Sequence, residues 1–287
     1  MEDRGWRIDL LVPKLCLGTH CRETLLRLRP IDRTAILHPP SAILGPQIPM
    51  QSLFQFVTPP HPCGYLPGET ASTEYEYAPN VGREEYFERL NEGWRRFGRM
   101  MFRPRCEVCK QCRSLRVLVN RFRPNRSQRR TIGINQDKVR LQIGKPTVTA
   151  AKLKLYDRFH AYQAEAKGWP AHPDRDVQSY VESFVDNPFP VEEWCYYLEE
   201  QLIGVGYVDS LPGGLSAIYF YYDPDERRRS LGTWNVINLI NRAAGLRIPF
   251  VYLGFYVADC TSLAYKAHFQ PHERLDPDGI WREAAKQ

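Results

Sequence analysis

WCYYLEEQLIGVGYVDSLPGGLSAIYFYYDPDERRRSLGTWNVINLINRAAGLRIPFVYLGFYV, residues 194–257, decides the fold class. Up to Tyr222, apolar and aromatic residues recur at a spacing near two, the period of a strand whose successive side chains face opposite ways. The stretch divides into Trp194–Glu199, Leu202–Asp209 and Leu215–Tyr222, predicted as three antiparallel strands. Pro212-Gly213-Gly214 is a hairpin signal between the last two, and Asp223-Pro224 ends the third. Beyond Arg227, Arg228 and Arg229 the chain enters Ser230-Leu231-Gly232-Thr233, and a helix runs to Gly245. Phe250–Tyr256 reads as a buried strand, and a last helix, capped by Asp259, runs through His268. Strands, helix, strand and helix in that order predict an α+β fold with a mixed or antiparallel sheet.

The turn before the long helix has a chemistry of its own. A helix N-terminus presents unpaired N–H groups and partial positive charge, so a phosphate docks there readily. Arg228 and Arg229 stand at that end, and Gly232 lets a ligand approach the backbone. A solvated basic turn is the plainer alternative. In its order of elements this region resembles the N-acetyltransferase (GNAT) superfamily.

Upstream, residues 53–57 and 71–79 read as short strands, and Leu115–Val119 as a β-branched one. Phe87, Leu90, Trp94 and Phe97 share one face of a helix predicted over Glu84–Phe97. Asn120–Arg130 reads as a basic stretch broken by proline. Lys152–Lys167 is a helix stopped by Gly168 and Pro170, and Asp174 caps another. Residues 1–49 lack helix caps and sustained apolar periodicity; Leu10-Leu11-Val12 is too short for a signal-peptide core and follows acidic residues. They read as a disordered or non-native leader, with a regulatory extension as the alternative. The expected divisions are this leader, an N-terminal domain over 50–150 with the cysteines and the basic segment, and a C-terminal domain over 151–287.

The composition of the 287 residues, 43% hydrophobic and 25% charged, excludes a disordered or collagen-like chain. No apolar run reaches the roughly 20 residues of a membrane helix. The net charge is +6, but Arg95–Arg130 holds twelve Arg and one Lys against Glu107 alone, which is +12 and leaves −6 elsewhere. Such a segment points to a polyanion. RFRPNRSQRR (121–130), with arginine forks beside Phe122, suits single-stranded RNA ends. Cys106, Cys109 and Cys112 repeat every three residues, with Cys63 and then His61 as further ligands for a zinc ion or iron–sulfur cluster. Buried or redox-sensitive thiols in a reducing, cytoplasmic compartment are the alternative. No G-x-S-x-G, H-E-x-x-H or Walker A motif occurs, so an enzyme of this sequence works by positioning two substrates.

HPCGYLPGE (61–69), LNEGWRRFGRMMFRPRCEVCKQCRSLRV (90–117) and RFRPNRSQRR (121–130) resemble the N-terminal half of the aminoacyl-tRNA–protein transferases. GLSAIYFYYDPDERRRSLGTW (214–234) and YLGFYV with AYKAHFQP (252–271) resemble the C-terminal half, so the likeness covers about residues 53–283. Arginyl-transferases carry CGYC and then a Cys-Cys pair. This chain has Cys63-Gly-Tyr-Leu66 and the R-P-x-C-x-x-C-x-x-C arrangement of the bacterial aspartate/glutamate leucyltransferases, with Phe97 departing from the usual R-R-S-G.

The resemblance implies transfer of an aminoacyl group, leucine by this pattern and arginine in the alternative, from tRNA to proteins beginning with Asp or Glu. Such tagging creates a destabilising N-terminus. The donor ester is already activated, so no cofactor is required. Arg126, Arg129, Arg130 and Lys266 are the expected binders of the acceptor's acidic side chain. Arg95, Arg96, Arg121, Arg123, Arg228, Arg229, Leu231 and Gly232 are expected against tRNA. Asp223, Asp209, or water would take the ammonium proton, with Tyr256 close to the chemistry. Two other readings stand beside this one: an acyl-CoA-dependent N-acetyltransferase, and a metal-stapled RNA-binding module without activity. No DNA or membrane partner is expected.

Overall fold

Eight strands, drawn from both halves of the chain, form the central sheet. The computed structural model describes residues 52–169 and 176–285. Its elements in chain order begin with β1 (Phe54–Val57), β2 (His61–Pro62), β3 (Thr70–Ala71), β4 (Thr73–Tyr77), α1 (Arg83–Asn91), β5 (Arg95–Phe97), β6 (Met100–Pro104) and β7 (Arg113–Leu118). They continue with α2 (Arg126–Asn135), β8 (Val139–Gly144), α3 (Ala150–Lys167), α4 (Val177–Tyr180), β9 (Glu192–Leu198), β10 (Gln201–Leu211) and β11 (Gly214–Tyr222). The chain closes with α5 (Leu231–Gly245), β12 (Phe250–Tyr256), α6 (Thr261–Ala264), β13 (His272–Leu275) and β14 (Trp281–Glu283). The large sheet has the order β14-β13-β7-β12-β11-β10-β9-β8, and a smaller one the order β1-β4-β6-β5.

The predicted three-strand run is present as β9, β10 and β11, antiparallel throughout. It holds because β10 is buried on both faces along most of its length. On one face, Leu231, Trp234, Ile237 and Ile240 of α5 cover Leu215, Val251 and Leu253. On the other, Leu155, Tyr156 and Phe159 of α3 meet Tyr207 and Tyr221. Burying such apolar side chains contributes about 1.5–3 kcal/mol each.

Four expectations are corrected here. The helix expected over Glu84–Phe97 ends at Asn91; Gly93, at φ 90°, turns the chain, and Trp94 and Phe97 are buried from the following turn and strand instead. The basic stretch is not irregular throughout. Asn125 caps α2 by accepting from the Gln128 backbone, while the Gln128 side chain accepts from the Asn125 N–H, a capping box that starts a helix within the arginines. Asp259 caps nothing; Cys260 precedes a four-residue α6 that continues as a 3₁₀ turn. A boundary at residue 150 would cut the large sheet, because β7 pairs with β12 and β13 while β8 pairs with β9. The leader and the Asp174 cap lie outside the described residues.

No helix among the described residues is long and apolar enough to cross a membrane. The small sheet is tied to the rest at Gly98, in the β5–β6 turn. Its N–H donates to the Ser183 carbonyl at 2.9 Å, its φ is 51°, and a Cβ there would come 1.8 Å from the Glu182 carbonyl oxygen. Gly98→Ala is therefore expected to cost about 3 kcal/mol or more, from left-handed backbone and overpacking together. A urea unfolding curve that shifts by less than 1 kcal/mol (about fivefold in the equilibrium constant) would contradict it.

Candidate active site

β11 and β12 run parallel but pair only at their beginnings, Gly214–Ser216 against Phe250–Tyr252. Beyond Ser216 they part, and β11 carries a bulge against β10 between Ala217 and Tyr219. The result is a fork in the middle of the sheet, opening toward the C-terminal ends of both strands. Arg95 of β5 reaches it from the small sheet and donates from Nη2 to the Ala217 carbonyl, the first residue past the last pair. Gly254 forms the other wall; a Cβ there would sit 3.6 Å from Arg95 Nε. Arg95 is 6% exposed, and its Nη1 has no hydrogen-bond partner among the described residues.

Arg96, its neighbour, is held differently. It is in contact with Asp209, and both side chains are fully buried. Its Nη1 donates to the Gly98 carbonyl at 2.6 Å and to Asn187 Oδ1 at 2.9 Å, and its guanidinium lies 4.5 Å from the Phe189 ring centroid. Burial pushes the Asp209 carboxyl above its ordinary value against the pull of Arg96. Arg95 and Arg96 are thus interior groups, not part of an exposed basic surface as expected, and Asp209 pairs with Arg96 inside the fold.

Asp223 also sits inside, 1% exposed, accepting from the Asp225 N–H at 3.1 Å, Gln201 at 3.2 Å and Arg158 at 2.9 Å. It caps the turn Pro224–Arg229 that leads into α5. Tyr256 ends β12 nearly buried, with the Arg274 guanidinium 4.1 Å from its ring centroid. Lys266 is buried too, and Nζ donates to the Phe255 carbonyl at 2.6 Å. Arg274 and its partner His272 escaped the sequence reading. His272 is fully buried, with Nδ1 3.2 Å from the Phe269 carbonyl and Nε2 receiving Arg274 Nε at 3.1 Å, which makes Nδ1 the protonated nitrogen.

Exposed cations lie on α2 and in the turn before α5. Arg126, Arg129 and Arg130 of α2 are exposed, as are Arg123 and Arg228. α2 is fixed to the turn before α5: Asn135 donates to the Arg229 carbonyl at 2.8 Å, and Arg229 pairs with Glu226 at 2.6 Å. Gln128 joins the same helix to the His268 carbonyl, two residues beyond Lys266. Ser230, at φ 54°, gives the N-terminus of α5 no side-chain cap. A Cβ on Gly232 would meet nothing within 4 Å, so that helix end is open. Leu231 turns inward, 1% exposed, and Arg121 is engaged by Glu283 at 2.6 Å.

Between the two sheets lies a cleft of about 320 Å³ whose walls include Cys63, Cys106, Cys109, Cys112, Phe102, Ser114 and Phe255. The cysteines meet here as their spacing suggested, but not as ligands. Among the described residues no three His, Cys, Asp or Glu side chains are arranged to hold a metal ion. Burial and then the neighbouring thiols push Cys112 up to about 12. Cys63 Sγ lies 3.4 Å from the Tyr65 N–H, and Cys106 donates weakly to the Ser72 carbonyl at 3.7 Å. The expected zinc or iron–sulfur centre is therefore unsupported by the arrangement of these side chains.

Two measurements check these assignments. Burial, then the Arg274 charge, lowers His272 to about 4, whereas the unfolded side chain titrates near 6.5. Between those values the unfolded chain holds more protons, so stability falls as pH drops through that window. His272→Gln is expected to flatten that part of the stability–pH curve, and an unchanged slope would contradict the burial. Asp209→Ala leaves Arg96 buried and unpaired, which is expected to cost about 3–5 kcal/mol in chemical unfolding; a catalytic role without an anchoring one would leave stability near wild type.

Comparison with known proteins follows the same geography. The family model described as "Arginine-tRNA-protein transferase, N terminus" matches residues 61–130, and "Arginine-tRNA-protein transferase, C terminus" matches residues 151–276. An aspartate/glutamate leucyltransferase of Campylobacter jejuni is 37% identical over 77% of this chain and 92% of its own length. The protein of that name from Marinobacter nauticus is 35% identical over 82% of this chain and 97% of its length. Among solved structures, L-PGS from Bacillus licheniformis superimposes with a TM-score of 0.41 at 11% identity, over 61% of this chain and 59% of that one.

Proposed function

Since the chain belongs to the arginine-tRNA–protein transferase family and is an aminoacyltransferase, we propose that it moves leucine from leucyl-tRNA to the α-amino group of proteins beginning with Asp or Glu. The observation that carries the reading is the fork between β11 and β12 beside the uncapped, arginine-flanked start of α5. Curated relatives over nine-tenths of their length bear the name aspartate/glutamate leucyltransferase, which favours leucine over the arginine of the family's general description.

The C-terminal region is read as GNAT-like. Three antiparallel strands, a bulged central strand, a helix and a parallel strand that splays away support it. The tRNA 3′ end lies on the N-terminus of α5, where backbone N–H groups and Arg228 neutralise phosphate. Arg126, Arg129 and Arg130 on the adjoining α2 attract the acceptor's carboxylate. Lys266 is a wall of that region, already donating to Phe255. With Asp209 and Asp223 engaged inside, water takes the ammonium proton. The reaction needs no cofactor because the ester is activated; the tagged proteins pass to degradation. The cytoplasm, where aminoacyl-tRNA is made, is the working compartment, and the unpaired described cysteines are in keeping with it.

Labelled leucyl- and arginyl-tRNA offered with peptides beginning Asp, Glu or Ala test this. Label is expected to pass from leucyl-tRNA to the Asp and Glu peptides. Equal transfer to Ala, preference for arginine, acetyl transfer from acetyl-CoA, or tRNA binding without transfer would each overturn it. Arg228→Glu is expected to lower kcat/KM for leucyl-tRNA about tenfold and to reduce the log–log salt slope of binding by about 1; an unchanged slope removes Arg228 from the interface.

A further inference from the structure

The two buried arginines among the described residues, adjacent on β5, are answered differently. Arg96 has Asp209, and Arg116, which is largely buried, has Glu273. Arg95 has no carboxylate within ion-pair distance among the described residues; Asp209 lies nearby but is taken by Arg96. A buried cation without an anion is costly. A purely structural link to the Ala217 carbonyl would not require a charge, since a neutral donor would serve.

The position of Arg95 indicates which anion is missing. Its Nη2 occupies the carbonyl at the point where β11 leaves β12, and Nη1 is left with an unused N–H. Gly254, at φ 77° in the middle of a buried strand, lines the opposite wall in van der Waals reach of the guanidinium. Ser114 lies close by, its Oγ also without a partner, on the stretch of β7 that pairs with Phe255. Phe102, which pairs with Arg95, together with Ser114 and Phe255 lines the cleft, so the fork and the cleft share a wall.

We propose that Arg95 is a catalytic residue whose unused Nη1–H receives the ester carbonyl oxygen of the aminoacyl-tRNA and stabilises it as an oxyanion. This rests on the reading that the donor's 3′ end lies on α5 and extends into the fork. The acceptor's neutral amine forms the new N–C bond, and the carbonyl π pair moves onto oxygen beside Arg95. Collapse restores the carbonyl and breaks the ester C–O bond. The ribose oxygen leaves as a hydroxyl, the proton it gains balancing one lost by the amine through water. The guanidinium is most useful when charge develops on that oxygen, so its effect falls on kcat.

The test is single-turnover transfer of leucine to a Glu peptide by wild type, Arg95→Met and Arg95→Ala, with circular dichroism as the folding control and leucyl-tRNA affinity measured separately. Loss of one oxyanion donor is expected to slow the Met variant by about 10²–10³-fold, with tRNA affinity within threefold of wild type. Added methylguanidinium is expected to restore part of the rate to Arg95→Ala, which a structural role would not produce. A folded Met variant with a wild-type rate, or a loss confined to tRNA affinity, overturns the assignment to Arg95. Should the variants not fold, ¹⁵N spectra of wild type carry the test. A tetrahedral phosphonate analogue of the leucyl ester on adenosine should shift a buried guanidinium signal, and no shift overturns the proposal. Failure of wild type itself to transfer leucine would instead bring down the donor reading, and this proposal with it.

Discussion

The contact between Arg96 and Asp209 holds the two sheets in one arrangement. β5 has three residues, too few to define its own position, and Arg96 reaches from it to the buried carboxylate on β10. Around that pair the guanidinium also bonds Gly98 and Asn187 and stacks near Tyr86 and Phe189. Charge pairs of this kind do little net work when compared with apolar substitutes, because desolvation offsets attraction. What they supply is directional: only one placement of β5 satisfies the guanidinium. Since side chains alternate along a strand, that placement also determines where Arg95 points.

A fork in a sheet is a weak point unless something occupies it. Parting strands leave backbone groups unpaired, and buried ones must find partners. Arg95 satisfies the Ala217 carbonyl, so the opening persists without collapsing into continued β11–β12 pairing. The same sequence dipeptide therefore both fastens the small sheet and keeps the fork apart. A single helix in place of β5 could not do this, since adjacent residues there diverge by about 100° and would not address neighbouring strands in the same way.

Much of the C-terminal sheet was legible because its signals were local. Alternating aromatics, Pro212-Gly213-Gly214 and Asp223-Pro224 mark strands and turns without reference to anything distant. The β5–β6 hairpin was not legible: Phe87, Leu90, Trp94 and Phe97 have helical spacing, and their burial is real, but it is achieved by a helix followed by a strand. Only Gly93 and Gly98 betray the change. The capping box at Asn125 and Gln128 was present in the letters, obscured by the surrounding arginines and Pro124. Asp209 stands 113 residues from Arg96, so no local pattern could show that two adjacent arginines belong inside. The cysteine convergence was legible from spacing, whereas the burial of the thiols depends on the packing of the two sheets around the cleft.

The basic segment shows how folding redistributes charge. Six of its arginines, Arg96, Arg99, Arg103, Arg113, Arg116 and Arg121, meet Asp209, Asp186, Glu74, Asp276, Glu273 and Glu283. All of those carboxylates come from outside the segment, so much of its local excess is cancelled by the acidic remainder of the chain. Arg123, Arg126, Arg129 and Arg130, together with Arg105 and Lys110, are exposed and have no ion pair among the described residues. The first four lie on or just before α2, the helix whose far end holds the turn into α5. A long run of like charge in a sequence would suggest a broad electrostatic surface. In this fold half of the arginines are consumed as struts, and four of the others lie on or just before one helix. The field of the segment is thereby much smaller than its +12 in sequence, because folding brings carboxylates from the rest of the chain against it.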